Sequence, residues 1–334
     1  MKKVLLLMFL AIVINFTANA NSIHQNEAFY QMLNKLLEEQ KYPQYYAEAF
    51  MGLCNDWKNT KLMFYVADGY DKLGDLYREK NMLLRILTLT PEDKKAKERL
   101  EKIEKSIERI EQKIKTLHSK PASVQTYTQL AAIYIGLKNL SKARYYLNKA
   151  NLLDPGKKNI VHNLMAGAFD KQIDLPTKQA ISLANQATIE YDKGNKEKAM
   201  RMFKDALSLS IISPFVYDNL GKVLVKEGNY GGAIRAFEEE LAINPDAPTA
   251  VAIGNLYYIL KDYNTAFSYF QKATKLNGMA SEAYYNIALC LEKLGDKEGA
   301  KQYYKMAFSQ NPKLKESKKN NTLFIKGIEI KKAN

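Results

Sequence analysis

Four alanines constrain this chain more than any other feature. Ala199, Ala233, Ala266 and Ala300 follow one another at spacings of 34, 33 and 34 residues, and a period in that range marks a chain built by stacking one small unit on the next. Each alanine is followed four positions later by a large ring, Phe203, Phe237, Phe270 or Tyr304. Seven positions later comes a second small residue, Ala206, Ala273 or Ala307, with Glu240 as the exception. Steps of four and three return to one face of an α-helix, so a small residue admits a neighbouring helix and the ring fills the space beside it. An earlier alanine, Ala143, starts the same pattern. Twelve positions after Ala143, Ala233, Ala266 and Ala300 stand Pro155, Pro245, Gly278 and Pro312, residues that end a helix.

A partner helix precedes each of these. In "VYDNLGKVLVKEG", Tyr217, Leu220, Gly221 and Leu224 share a face, and Tyr127, Leu130, Ala131, Tyr134 and Tyr284, Ile287, Ala288, Leu291 are the equivalents. This order of aromatic, Leu-Gly or Leu-Ala, Tyr, Ala, Phe, Ala and Pro over 34 residues resembles the tetratricopeptide repeat family, over 124–155 and 180–312. The resemblance implies an all-α fold, a right-handed superhelical solenoid of antiparallel helix pairs. A weaker unit reads at 60–91, with Val66, Ala67, Tyr70, Gly74 and Pro91 in register and Glu79 and Lys80 where the small residue belongs.

Two irregularities interrupt the array. Between Pro155 and Ala180 the segment "IDLPTK" leaves no room for a complete second helix, which predicts a break in the stacking. Between Pro91 and Lys120, Leu100, Ile103, Ile107, Ile110, Ile114 and Leu117 alternate in steps of three and four among charged positions. That heptad-patterned seam predicts one long helix of roughly 25 residues, about 38 Å. It docks on its own chain or, with Arg99 and Glu104 as a g-to-e contact, pairs in a coiled-coil dimer; a run under four heptads favours the monomer. The expected division is a signal peptide at 1–20, an N-terminal helical segment at 21–91 with the degenerate repeat, the long charged helix at 92–120, the repeat array at 121–312 and a basic cap or tail at 313–334.

Residues 1–20, "MKKVLLLMFLAIVINFTANA", have the charged start, apolar run and Ala18-Asn19-Ala20 site of an export signal. An uncleaved anchor is the alternative, but the apolar run falls short of the roughly 20 residues that span a bilayer. Asn21 rather than a cysteine follows the site, which argues against lipid modification. A lysine-rich composition with so compact a signal suggests a bacterial protein of the periplasm or cell envelope, or a secreted one. The net charge of +14 would point to nucleic acid inside a cell; for an exported chain it points instead to solubility, to an acidic envelope polymer or to peripheral membrane contact. No nucleic-acid partner is expected. Cys54 and Cys290 each lie in an apolar helical stretch and read as buried free thiols.

The sequence offers no catalytic constellation. His24, His118 and His162 fall in separate segments without metal-ligand spacing. The glycines of "GKVLVKEGNYGG" lack the strand and the Gly-Lys-Ser/Thr of a phosphate loop and suit a tight interhelical turn. Glu238, Glu239 and Glu240 read as a solvated helix face, with Glu240 leaning over a helix end. No enzyme activity, metal or cofactor is expected.

What remains is a surface for holding something. In the family that the repeats resemble, the first helices of each pair line a concave groove. Carried over position by position, this implies a partner-binding groove of Asn185, Thr188 and Tyr191, then Asp218, Asn219, Lys222 and Lys226, then Asn255 and Tyr258, then Tyr285, Asn286 and Lys293. Amides and phenols suit an extended peptide backbone, and Lys222 and Lys226 suit an acidic ligand. The family's carboxylate clamp is missing: Asn219 matches its middle position, but Ala184, Thr188, Pro248 and Ala252 replace the rest. The tail after Pro312 carries Leu323, Phe324, Ile325 and Ile328 among lysines, Lys326, Lys331 and Lys332 included, and reads as a final capping helix or as a membrane or partner contact. The expected function is a non-enzymatic scaffold that binds a protein or peptide segment in the groove; the alternative is an accessory factor that binds an acidic polymer or membrane through the basic face.

Overall fold

The structure is a computed structural model that describes residues 27–154, 175–276, 280–317 and 322–331. Residues 1–20, where a signal peptide is expected, and residues 155–174, where most of the expected break falls, lie outside the described residues. The described chain is helical except at its end. Helix α1 spans 27–38. It is followed by α2 (Tyr42–Asn55), α3 (Thr60–Leu73), α4 (Leu76–Leu89), α5 (Lys94–His118), α6 (Val124–Gly136) and α7 (Leu140–Leu153). The array continues with α8 (Leu175–Asp192), α9 (Lys196–Leu209), α10 (Pro214–Lys226), α11 (Tyr230–Ile243), α12 (Ala247–Ile259), α13 (Tyr263–Lys275), α14 (Ala280–Leu294), α15 (Lys297–Gln310) and the short α16 (Leu314–Ser317). A two-stranded antiparallel hairpin, β1 (Thr322–Ile325) and β2 (Ile328–Lys331), closes the described chain.

Five of the turns within pairs share one chemistry. A residue with positive φ ends the first helix, Gly74, Lys138, Gly228, Lys261 or Gly295, and the Asp or Asn after it caps the second. Asp75 accepts from the Arg78 amide, Asn139 from Lys142, Asn229 from Gly232, Asp262 from Thr265 and Asp296 from Gly299. The left-handed residue reverses the chain and the capping oxygen satisfies one of the orphan amides at the new helix start. Each pair then closes on small residues. An added Cβ at Gly221 would stand 2.5 Å from the Phe237 ring, and one at Gly254 would stand 2.5 Å from the Phe270 ring. These two repeats therefore bring a ring of the second helix against bare backbone of the first.

Helix α5 is 25 residues long. It packs on α4, burying Ala96, Ile103 and Ile107 in the main core, and its far end buries Leu117 in a separate small cluster with Leu130, Ala131, Tyr134, Ala143 and Leu147. Arg99 and Glu104 are engaged within the chain. Arg99 pairs with Asp68 and Glu79 and donates to the Ala67 carbonyl, while Glu104 meets Lys80 at 2.7 Å. Glu79, out of place in a tetratricopeptide unit, thus has Arg99 as its counter-ion. Buried Cys54 and Cys290 carry free thiols.

The N-terminal helices do more than precede the array. Helix α2 packs against α9 and α11, so the chain folds back across its own repeats. The C-terminal tail also departs from expectation. A capping helix over the last pair is expected, whereas β1 contacts α12 and β2 contacts α10, in the middle of the array. Lys326 and Gly327, with φ of 48° and 87°, form the two-residue turn whose positive dihedrals match the twist of a hairpin. Ile325 beside them is fully buried.

Candidate functional site

The residues expected to line a groove lie on the first helices α8, α10, α12 and α14, and several meet across neighbouring helices. Asn219 donates to the Asn185 side-chain oxygen at 2.8 Å, and Asn286 donates to Asn255 at 3.2 Å. Tyr191 donates to Glu227, and Lys226 binds Asp192 at 2.7 Å. Lys222 is held by Asp218 one turn away at 2.7 Å. Thr188 bonds back to the Ala184 carbonyl. The Tyr258 ring packs edge-on to Tyr263, and Tyr285 packs against Tyr304 and Phe308. Lys293 lies exposed near the end of α14. Both lysines expected to attract an acidic ligand thus already have carboxylate partners, which reduces the positive field they offer.

The glutamate run is the main correction. Glu238, Glu239 and Glu240 are all buried, at 8%, 7% and 6% exposure, not solvated. The reason is that α11 is covered on a side that the repeat pattern leaves open: every residue from 231 to 240 is buried, because α2 lies across it. Asn229 of the α10–α11 turn donates to the Cys54 carbonyl, and Arg235 donates twice to the Trp57 carbonyl at 2.9 and 2.8 Å. These carbonyls at and just beyond the C-terminal end of α2 are thereby satisfied from across the molecule.

Each glutamate has its own cation. Glu238 pairs with Arg85 and Arg235 and accepts from Tyr269 at 2.7 Å. Glu239 lies 3.6 Å from Arg78, which also holds Asp75 and donates to the Ile211 carbonyl at 2.6 Å. Beneath Arg78, the Tyr46 hydroxyl stands 3.0 Å from that of Tyr70 and 2.9 Å from that of Tyr217. Tyr217 gives its one proton to the Ile211 carbonyl at 2.9 Å, which makes Tyr46 the donor to Tyr217. Burial pushes the Glu238 and Glu239 carboxyls up from the usual range, with Arg85 and Arg78 opposing it. Burial likewise holds the Tyr46 and Tyr70 hydroxyls protonated far above ordinary pH.

Glu240 is bound to the tail. Lys326, at the hairpin tip, meets Glu240 and, at 2.9 Å, Asp218, and its ammonium lies 5.4 Å from the centre of the Phe237 ring. Burial pushes the Glu240 carboxyl up to about 7, against the pull of Lys326. Burial pulls the Lys326 ammonium down, but Glu240 and Asp218 outweigh it and the ammonium titrates above the usual lysine value. Asp218, an expected groove residue, is therefore already occupied by the chain itself. Beside this contact opens a cavity of about 1170 Å³ lined in part by Tyr77, Asp218, Lys222, Glu240, Asp246 and Lys326. A second, of about 600 Å³, lies at the N-terminal interface beside Trp57, Arg85, Arg235, Glu238 and Lys272.

Sequence reasoning missed Arg78, Arg85 and Arg235 with Glu238 and Glu239 as one ionic cluster, and Glu240 as the partner of Lys326. The available signals were Glu240 in a small-residue position and the charged residues of α4 where a repeat wants alanine. Among the described residues no group of His, Cys, Asp and Glu is gathered to hold a metal ion, and no helix is long and apolar enough to cross a membrane. His118 pairs with the Tyr146 hydroxyl at 2.7 Å.

Comparison with known proteins follows the same geometry. Models of the tetratricopeptide repeat match residues 124–157, 214–247, 247–278 and 281–314. The CTR9 homolog protein of Arabidopsis thaliana is 27% identical over 71% of this chain and 21% of its own length. Anaphase-promoting complex subunit 6 of the same plant is 26% identical over 50% of this chain and 34% of its own, and the BBSome complex member BBS4 of Bos taurus is 24% identical over 54% and 38%. The chain thus spans about a fifth to two fifths of the length of these curated relatives. Among solved structures, the MamA protein aligns over 58% of this chain and 94% of its own at 19% identity and a TM-score of 0.36. The Cut9 and Hcn1 hetero-tetramer of the APC/C aligns over 76% and 54% at 18% identity and a TM-score of 0.34. Residues 124–157, 214–247, 247–278 and 281–314 of this chain are tetratricopeptide repeats.

Proposed function

We propose that this protein is a non-enzymatic protein-interaction scaffold that holds a segment of a partner along the first helices of its repeats, in the bacterial cell envelope. The observation that carries the reading is the face of α8, α10, α12 and α14, where amides, phenols and carboxylates meet across successive helices, as in the Asn185–Asn219 and Asn255–Asn286 pairs. Asn255 and Asn286 are buried, so the part of the row open to a partner is at α8 and α10, where Asn185 is exposed and Asn219 half-buried; affinity on a solenoid accumulates from many modest contacts. The names of two relatives, an anaphase-promoting complex subunit and a BBSome complex member, support a role in assembly with other proteins. The envelope address rests on the export-signal pattern of residues 1–20.

A photo-reactive residue at Asn219, followed by crosslinking in the native envelope, tests the reading. A discrete protein trapped there supports it, and the Asn185→Ala, Asn219→Ala double variant, in which neither residue is buried, then loses capture with its melting temperature unchanged. Capture that persists in that variant moves the site off this face. The alternative, an acidic polymer or membrane on the basic surface, draws on the net charge of +14. It predicts binding that collapses steeply with added salt, where recognition of a peptide weakens modestly.

A further inference from the structure

The hairpin tip shows what kind of side chain the middle of the array selects. Lys326 lies 89% out of solvent between carboxylates of two different helices, Asp218 of α10 and Glu240 of α11, and over the face of Phe237. Ile325 next to it is fully buried. This acidic recess belongs to one repeat alone. The position of Glu240 is alanine in the other units, at Ala206, Ala273 and Ala307, and those alanines are fully buried, leaving no carboxylate there. A compact ammonium suits the recess, since its three donors reach two acids from a single point charge; the ring face adds a cation–π contribution. One oxygen of Glu240 has no hydrogen-bond partner among the described residues. Without a cation, two partly buried carboxylates would repel each other in a poorly hydrated site, so an empty recess favours any lysine that can reach it.

The occupant is tethered in cis. Helix α16 ends at Ser317 and β1 begins at Thr322, so the turn acts as a ligand at high effective concentration that an outside segment must displace. We infer that Asp218, Glu240 and Phe237 form a lysine-recognition site for a partner polypeptide that presents a lysine beside an aliphatic residue at a tight turn, and that the chain's own Ile325-Lys326-Gly327 turn fills the site until the partner displaces it. The inference rests on the scaffold reading and gives it a partner chemistry.

The test uses the full chain and a fluorescent peptide of the sequence of residues 318–331, read by anisotropy. Gly327 has φ of 87°, which a β-branched side chain adopts only with strain, so Gly327→Val breaks the resident turn, and Lys326→Glu expels it by charge. Both variants should take up the peptide at least about tenfold more tightly than the wild type, because the tethered competitor is gone. Adding Asp218→Asn with Glu240→Gln should abolish the gain, and a peptide with glutamate in place of the lysine should not bind. Equal uptake by the wild type and both opened variants, or uptake that survives loss of the two carboxylates, overturns the proposal. So does a stable dimer in which the hairpin of one copy fills the site of another, seen by mass. If the peptide fails while crosslinking at Asn219 still captures a protein, the lysine site is wrong and the scaffold stands; if the peptide binds as expected and Asn219 captures nothing, the reverse holds.

Discussion

The repeat at 124–153 and the repeat at 214–243 share a skeleton and sit in opposite surroundings. In the first, the second helix α7 buries Ala143, Leu147 and Ala150, and its pair belongs to a small cluster of its own with the end of α5. In the second, α11 is buried at every position from 231 to 240, and its pair belongs to the main core that runs from Leu33 to Ile325. The periodic positions are occupied alike; what differs is the cover. Helix α2 lies on α11, while the outer side of α7 is exposed at Tyr145 and Leu152. A repeat pattern specifies how one helix meets its partner, and residues outside the pattern specify what covers the pair.

The largest expected effect follows from removing a charge that the cover depends on. Arg78→Ala leaves Glu239 and Asp75 buried without their cation and takes a donor from the Ile211 carbonyl. Breaking a buried ion pair on one side costs about 3–5 kcal/mol, and a denaturant midpoint should show it. A loss under about 1 kcal/mol would mean that the N-terminal helices do not depend on this cluster. In the smaller cluster, Leu147→Ala should cost about 2–3 kcal/mol locally. Hydrogen exchange should quicken across 124–153 and stay unchanged across 230–243; spread to both would erase the distinction between the two repeats.

Next come two glycines with opposite signs. Gly221→Ala forces a methyl to within 2.5 Å of the Phe237 ring and should cost about 1–3 kcal/mol in thermal or chemical melts. Gly136→Ala, at the end of α6 with nothing within 4 Å of the added carbon, should instead stabilise by about 0.5–1 kcal/mol. Same-sign results would contradict the packing described for one of the pairs. The smallest change at neutral pH concerns Glu240. Its folded-state value, pushed up to about 7 by burial, lies above that of an unfolded glutamate, about 4.3. Its contribution is therefore fully present below the unfolded value and is lost as pH rises through about 7. Glu240→Gln should flatten the fall in stability across that window, and an unchanged pH profile would place the titration elsewhere.

The helix pairs were legible in the sequence because they rest on local and periodic causes. Ala233, Phe237 and Gly221 announce a close approach, and an Asn or Asp at the turn marks most of the reversals within pairs. The 25-residue length of α5 follows from the same kind of local pattern. The cover was not, because its partners lie far apart in the chain: Arg235 reaches Trp57, Lys204 reaches Glu48 at 2.8 Å and Tyr217 reaches Tyr46. Within the repeat only Glu240, standing where the other units have alanine, distinguishes the buried run at 238–240 from a solvated one. The expected groove residues follow repeat register along the first helices, but the burial of Asn255, Tyr258, Tyr285 and Asn286 and the arrival of Lys326 at Asp218 depend on contacts that no local pattern encodes. A capping helix was the natural expectation for an amphipathic tail. The hairpin replaces it because Lys326 and Gly327 accept the turn, and buried Glu240 and half-buried Asp218 supply the counter-charge for Lys326.

The claim on which the account depends is that α2 and α11 form one cooperative body despite their separation in sequence. Native-state hydrogen exchange of Gly231→Val tests it directly, since an added side chain at 231 would collide with the Trp57 ring. The account predicts that protection falls together in 42–55 and 230–243 while 124–153 is unaffected. Full protection of 42–55 in that variant would contradict it.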